Sequence, residues 1–200
     1  MRTVCALLVA LGVVALMSGC ASKREIADMS LGEEQVVERI PDSAPEWLDT
    51  PYEESGKQLL FKGEAARGSD ASLCLRQSKA NAVQNLVEAI KIKGRSEFSE
   101  AVRGVNVSEE ALGRYLDSVI AWTSENVQVS GIVTQGEYRE KVQVRTYEGV
   151  SYYYNCYSRL SVPVESYLRA RQEALTRAVV EAQDDEAKAL ALEAKARLAP

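Results

Sequence analysis

Apolar residues in the middle of this chain recur first at helical spacing and then at every second position, and that switch of period restricts the fold more than any other feature. Over residues 72–92, Leu75, Ala82, Leu86, Ala89 and Ile90 share one helical face, with Val83 and Val87 widening it. Ser69 or Asp70 is placed to cap this helix and Gly94 to end it. A second helix is expected from Ser108, with Glu109 and Glu110 in the first turn, where the helix dipole favours negative charge. Its Leu112, Tyr115, Leu116, Val119 and Ile120 have the spacing of a core-facing stripe.

Past Trp122 the period falls to two. Val127, Val129 and Val133 lie on odd positions and Val142 and Val144 on even ones, so a break is expected between them, at Gly136. TYEGVS then reads as a tight hairpin connection through Glu148 and Gly149. Beyond it, Tyr152, Tyr154, Cys156, Leu160 and Val162 share a face expected to meet the helices, and Tyr153, Asn155, Tyr157 and Arg159 share the other. Upstream, QLLFKGEA (58–65) reads as a strand running into the turn RGSD. Together these elements predict an α+β domain, a small antiparallel sheet with two helices packed on one face, plus a long C-terminal helix.

Composition divides the rest. Residues 20–51 are polar and acidic, with prolines at 41, 45 and 51, and read as a flexible tether; the α+β domain is placed at 52–162. Residues 163–200 contain no glycine and are rich in Ala, Glu, Leu, Arg and Lys, which predicts a helical extension. Val164, Leu168, Leu175, Ala178, Ala182, Ala189 and Leu192 would form its apolar seam, and a homo-oligomer built partly through it is expected. Beyond Gln183 the sequence is mostly charge and alanine, where a frayed, solvated tail is the alternative.

The N-terminus carries the clearest address. Residues 4–17 are uncharged and almost all apolar, Arg2 precedes them, and fourteen residues are too few to span a bilayer. Met17, Ser18, Gly19 and Cys20 follow the pattern in which a short apolar run ends before a cysteine that becomes lipidated. Residues 1–19 are therefore read as a lipoprotein signal peptide and Cys20 as the lipidation site, with a membrane contact through the lipid. Ala21 and Ser22 after the cysteine direct the expectation to the outer membrane, on its periplasmic face. The net charge of −5 gives no electrostatic footprint for nucleic acid.

PEW (45–47), FKGEA (61–65), the alanine pair Ala80 and Ala82 in the first helix, and a tyrosine-rich strand ending in SVP (161–163) together resemble the LPP-twenty lipoprotein family. The resemblance implies a non-enzymatic envelope lipoprotein with a small α+β domain. The family includes lipoproteins of the basal disk that surrounds the flagellar motor in some bacteria, so envelope or flagellar proteins are the partners it implies.

Chemistry points the same way. The chain has no histidine, the commonest general base and metal ligand, so no catalytic residue, metal site or cofactor is assigned. FKGEAARGSD lacks the Lys and Ser/Thr of a phosphate loop and reads as a strand-to-helix turn. Cys74 and Cys156 would meet if the first helix packs across the last strand; a disulfide and two buried free thiols are both open from sequence. Six of nine tyrosines lie between Tyr138 and Tyr157, and Tyr153 and Tyr157 form a candidate interaction face. Two function classes follow: a structural or assembly lipoprotein of the envelope, and a ligand- or host-binding surface lipoprotein without self-assembly.

Overall fold

The computed structural model describes residues 29–129 and 131–199. In chain order these form β1 (Glu34–Ile40), a 3-10 turn (Glu46–Asp49), β2 (Tyr52–Ser55), β3 (Gln58–Gly68), α1 (Ala71–Ala101), α2 (Glu109–Val129), β4 (Val133–Thr146), β5 (Gly149–Pro163), α3 (Val164–Val180) and α4 (Asp185–Arg197). The fold is α+β, with a five-stranded antiparallel sheet in the order β1-β4-β5-β3-β2. Two compact units are present. The small one joins the described residues up to Glu34 with Val144–Ser151, and the large one holds Gln35–Gln143 and the chain from Tyr152 onward.

The large unit is organised by the approach of α1 to the sheet. Leu59, Phe61 and Gly63 alternate as the buried positions of β3, and β3 pairs with β5 so that Gly63 stands opposite Ser158. A Cβ built on Gly63 would lie 2.1 Å from the Ala82 backbone nitrogen and 2.2 Å from the Ser78 carbonyl oxygen. Only glycine leaves room for the helix backbone there. Beside it the buried hydroxyls of Ser78 and Ser158 share a 2.6 Å hydrogen bond, which satisfies two polar groups the close approach seals from water.

Asp70 caps α1, its carboxylate accepting from the Leu73 backbone N–H at 2.8 Å. The helix buries Cys74, Ser78, Ala82, Leu86, Ile90, Gly94 and Phe98, an unbroken series at every fourth residue. At 3.6 residues per turn each such step rotates the stripe by about 40°. The buried face therefore turns along the helix, from the sheet toward the other helices. Leu86 and Ile90 pack with Leu59, Phe61, Val162 and Tyr167, whereas Phe98 and Ala101 pack with Leu116, Val119, Leu175 and Leu190. The helix accordingly does not end at Gly94. An interior glycine costs about 1 kcal/mol, less than the roughly 2 kcal/mol gained by burying a side chain such as Phe98.

Helix α2 begins where expected, with Ser108 Oγ accepting from the Ala111 backbone N–H at 3.3 Å. It ends later than expected, running to Val129, so that Val127 lies on a helix, fully buried, rather than in a strand. Gly136 is not a turn. It lies inside the continuous strand β4, where a Cβ would meet the Trp47 indole at 3.3 Å.

Composition misassigned part of residues 20–51 and missed a break in the C-terminal helical segment. Within the stretch read as a tether, Glu34–Ile40 form an edge strand and Glu46–Asp49 a turn of 3-10 helix. Strand β1 is held through polar contacts with β4, Gln143 Nε2 donating to Gln35 Oε1 at 2.9 Å and Arg39 pairing with Glu140, which leave no apolar period to read. The C-terminal segment is two helices. Asp184 caps the second by accepting from the Ala187 N–H at 2.7 Å, and Leu190, Ala191 and Ala194 are buried in the same core as Phe98 and Leu175. Leu168 and Leu192, assigned to an apolar seam, are instead exposed. These helices complete the core of their own chain, and the part beyond Gln183, for which a frayed tail was the alternative, is a helix docked on that core.

The two helix-facing glycines of α1 and β3 separate cleanly by experiment. Gly63→Ala is expected to destabilise by about 3 kcal/mol or more, because backbone rather than a flexible side chain blocks the new methyl. At Gly94 the nearest atoms to a Cβ are Phe98 and Ile120 side-chain carbons at 3.5 and 3.7 Å, an ordinary contact, so Gly94→Ala is expected to stabilise by up to about 1 kcal/mol. Denaturant titration of both variants measures the contrast.

Candidate functional site

On β5 the buried positions Cys156, Ser158, Leu160 and Val162 alternate, so Tyr153 and Tyr157 fall on the other register of the strand. Tyr157 is half-buried, its ring centroid 5.8 Å from that of Tyr138, with Lys62 Nζ 6.0 Å away. Tyr138 is fully buried and donates to Glu140 at 2.7 Å. Burial pushes both hydroxyls above the ordinary tyrosine pKa. The 3-10 turn lies over the same region: Lys62 Nζ donates to the Leu48 carbonyl at 2.7 Å, and Arg159 pairs with Glu53. Tyr157 is thus part of a covered cluster.

Tyr153 has a different setting. Strand β3 carries a bulge between Ala65 and Gly68, with Arg67 at φ 58°, and the Arg67 guanidinium lies 5.0 Å from the Tyr153 ring centroid. The Arg67 N–H donates to Asn155 Oδ1 at 3.2 Å, fixing the bulge to β5. Tyr152, expected to face the helices, is exposed, with Lys141 Nζ 4.8 Å from its ring centroid. Helix α1 begins beside Cys156, and Tyr152 lies on the hairpin side of that point.

Cys74, in the first turn of α1, and Cys156 are joined by a disulfide, with Cα atoms 5.7 Å apart. Gly68 makes the space: a Cβ there would lie 2.8 Å from the Cβ of Cys74. Both glycines of FKGEAARGSD are therefore packing positions, Gly63 against the helix backbone and Gly68 against the bridge. Cys20 lies outside the described residues.

The large unit also carries concave sites. An apolar groove of about 320 Å³ lies over Leu59, Phe61 and Ile90, walled by Tyr52 and Ile92, which is 74 % exposed, with Lys93 near the Tyr167 ring. A more polar cleft of about 580 Å³ lies where α2 meets the turn between α3 and α4. Arg114, Tyr115, Ser118 and Trp122 line its α2 side, and Glu181, Gln183 and Asp184 its turn side. Tyr115 is 6 % exposed and its hydroxyl has no hydrogen-bond partner among the described residues. Sequence reasoning placed Tyr115 in the core stripe and missed this cleft, because the α3–α4 turn that forms it was read as helix.

Among the described residues, no group of three or more Cys, Asp or Glu side chains is arranged to hold a metal ion, and no helix is long and apolar enough to cross a membrane. Comparisons of the chain with protein-family models, with curated proteins and with solved structures find no match.

The bridge joins residues 82 positions apart, a separation for which the chain-entropy account gives about 4 kcal/mol of stabilisation. Cys156→Ser is expected to lose about that much in denaturant unfolding under non-reducing conditions. Peptide mass spectrometry without reduction should find the Cys74 and Cys156 peptides linked, and recovering both as free thiols would remove the bridge.

Proposed function

We propose that this chain is an outer-membrane-anchored lipoprotein with a structural or assembly role in the cell envelope. The observation that carries the reading is Cys20, placed after Met17, Ser18 and Gly19 at the end of an uncharged apolar run. The Cys74–Cys156 bridge supports it, since disulfides persist in oxidising compartments and are rare in the cytosol. Exposed apolar surface at Tyr52 and Ile92, beside the groove, supports a contact role and self-association. The resemblance of PEW, FKGEA and the Ala80–Ala82 pair to the LPP-twenty family extends the proposal to an accessory disk around a flagellar motor.

A second reading, a ligand-binding surface lipoprotein without self-assembly, is favoured by the cleft with its unpartnered Tyr115 hydroxyl. Both readings share the anchor. Cys20→Ser is expected to leave an unprocessed, mislocalised precursor that takes up no labelled fatty acid. Processing and membrane binding of that variant at wild-type levels would remove the lipid anchor from both. Imaging of motors in a deletion strain separates the two readings: loss of a disk and of motility supports assembly, and intact motors favour ligand binding.

A further inference from the structure

Two turns of the small unit place a large apolar side chain at a position that turns ordinarily fill with Gly, Pro, Asn, Asp or Ser. Ser30–Glu33 form the first. The Glu33 N–H donates to the Ser30 carbonyl at 3.0 Å, the Glu33 carboxylate accepts from the Ser30 N–H at 2.8 Å, and Gly32 at φ 81° supplies the positive φ required at the third place of such a turn. Its second residue, Leu31, is 49 % exposed. The other turn is the β4–β5 connection through Tyr147 and Glu148, where Thr146 Oγ1 donates to the Gly149 carbonyl at 3.1 Å. Tyr147 is 94 % exposed.

Hydrogen bonds tie the two turns together. The Gly32 N–H donates to the Arg145 carbonyl at 2.8 Å, the Arg145 N–H donates to the Glu33 carbonyl at 3.3 Å, and the Arg145 guanidinium donates to the Met29 carbonyl at 2.7 Å. The chain toward Cys20 leaves from Met29, in this same unit. Only Ala21 to Asp28 lie between, and eight residues reach at most about 30 Å. The unit that exposes Leu31 and Tyr147 is therefore the described part of the chain tied most closely to an anchor on Cys20.

Single exposed apolar residues are ordinary, but two on adjoining turns beside the attachment point form a surface suited to one medium. At a membrane–water boundary a tyrosine ring sits among the headgroups with its hydroxyl in water, and a leucine side chain reaches the acyl layer. Charge sets the kind of contact. The described residues of the unit hold one basic side chain, Arg145, against the acidic Glu33, Glu34 and Glu148. Attraction to anionic headgroups, which needs clustered Lys and Arg, is not what would hold it there.

We propose that the turns Ser30–Glu33 and Tyr147–Glu148 rest on the headgroup layer of the bilayer, with Leu31 and Tyr147 inserted, as a contact made by the protein beside the lipid. This rests on the lipoprotein reading and deepens it.

The test uses the full-length lipidated protein in vesicles of phosphatidylethanolamine and phosphatidylglycerol, with a bimane label on Glu148→Cys, a substitution at an exposed place that leaves Leu31 and Tyr147 intact. Cys20 carries the lipid and Cys74 and Cys156 are bridged, so the introduced thiol takes the label. A nitroxide on the fifth acyl carbon of the lipid is expected to remove about half or more of the emission, and iodide in the water to quench it about twofold less than in the absence of vesicles. Replacing Leu31 and Tyr147 together by serine should reduce the nitroxide effect at least about twofold with an unchanged denaturation midpoint, since both side chains are exposed; Tyr147→Ser alone serves if the pair fails to fold. Omitting phosphatidylglycerol, or adding salt to about 0.5 M, should leave the quenching in place. Flotation with the vesicles but no nitroxide quenching overturns the contact and leaves the anchor standing. Failure to float, with label taken up at Cys20, removes the anchor and this proposal with it. Shielding from iodide without nitroxide quenching would give the turns to a second copy or another protein, and quenching abolished by salt would make the contact electrostatic; either result overturns the proposal.

Discussion

The contact of Gly63 with the backbone of Ala82 and Ser78 sets the height of α1 above the sheet, and much else follows from that height. A helix held this close can use side chains as small as serine and alanine as its packing surface. Ser78 reaches Ser158 directly, and Cys74 reaches Cys156 one turn earlier. Gly63 of FKGEA and Ala82 come together at this contact, so these two residue types have a packing reason independent of any function, whereas Ala80 is exposed. A larger residue at Gly63 would lift the helix, separate the serine pair and oppose closure of the bridge.

The second consequence comes from the every-fourth-residue stripe on α1. A stripe that rotates by about 40° per step cannot stay on one flat surface over a long helix. The N-terminal half of α1 therefore belongs to the sheet and the C-terminal half to the other helices, and one helix connects the two cores. Helices α3 and α4 are needed to cover the second half: Leu175, Ala178, Leu190, Ala191 and Ala194 meet Phe98, Ala101 and Val119 there. The polar cleft is a by-product of that arrangement, since the chain must reverse between α3 and α4 and the reversal stands off from α2 at Tyr115 and Trp122.

What could be read beforehand, and what could not, follows the same physics. The helical stripe of Leu112, Tyr115, Leu116, Val119 and Ile120 and the alternation of Cys156, Leu160 and Val162 were legible because burial on one face leaves a period in the sequence. Strand β1 was not, since its side chains stay mostly exposed and its pairing depends on Gln35, Gln143, Arg39 and Glu140. Gly94 was assigned to a helix end yet lies inside α1, where a Cβ would make only ordinary contacts with Phe98 and Ile120, whereas Gly136 lies inside β4 at a close approach of the Trp47 ring. The start of α4 was legible and missed, for Asp184 followed by Asp185 and Glu186 is a helix-start signal. The unpartnered Tyr115 hydroxyl left no trace, because partnering depends on which residues the α3–α4 reversal brings near it.

Order in the stretch once read as a tether also changes the mechanics of the proposed anchor. Were residues 20–51 free chain, a domain attached at Cys20 could extend about 100 Å from the membrane, at 3.3 to 3.6 Å per residue. The described structure instead begins at Met29, which is buried and whose carbonyl accepts from Arg145 at 2.7 Å; Gly32 donates to the Arg145 carbonyl close by. Eight residues, Ala21 to Asp28, then separate the lipid site from the first fixed point, and their greatest reach is about 30 Å. That bound holds whatever conformation those residues adopt. If Cys20 carries the proposed lipid, Met29 and the small unit to which it belongs lie within about that distance of the bilayer surface. For the proposed assembly role, confinement to a layer by such an anchor would raise the effective concentration of each copy for the next without any new contact.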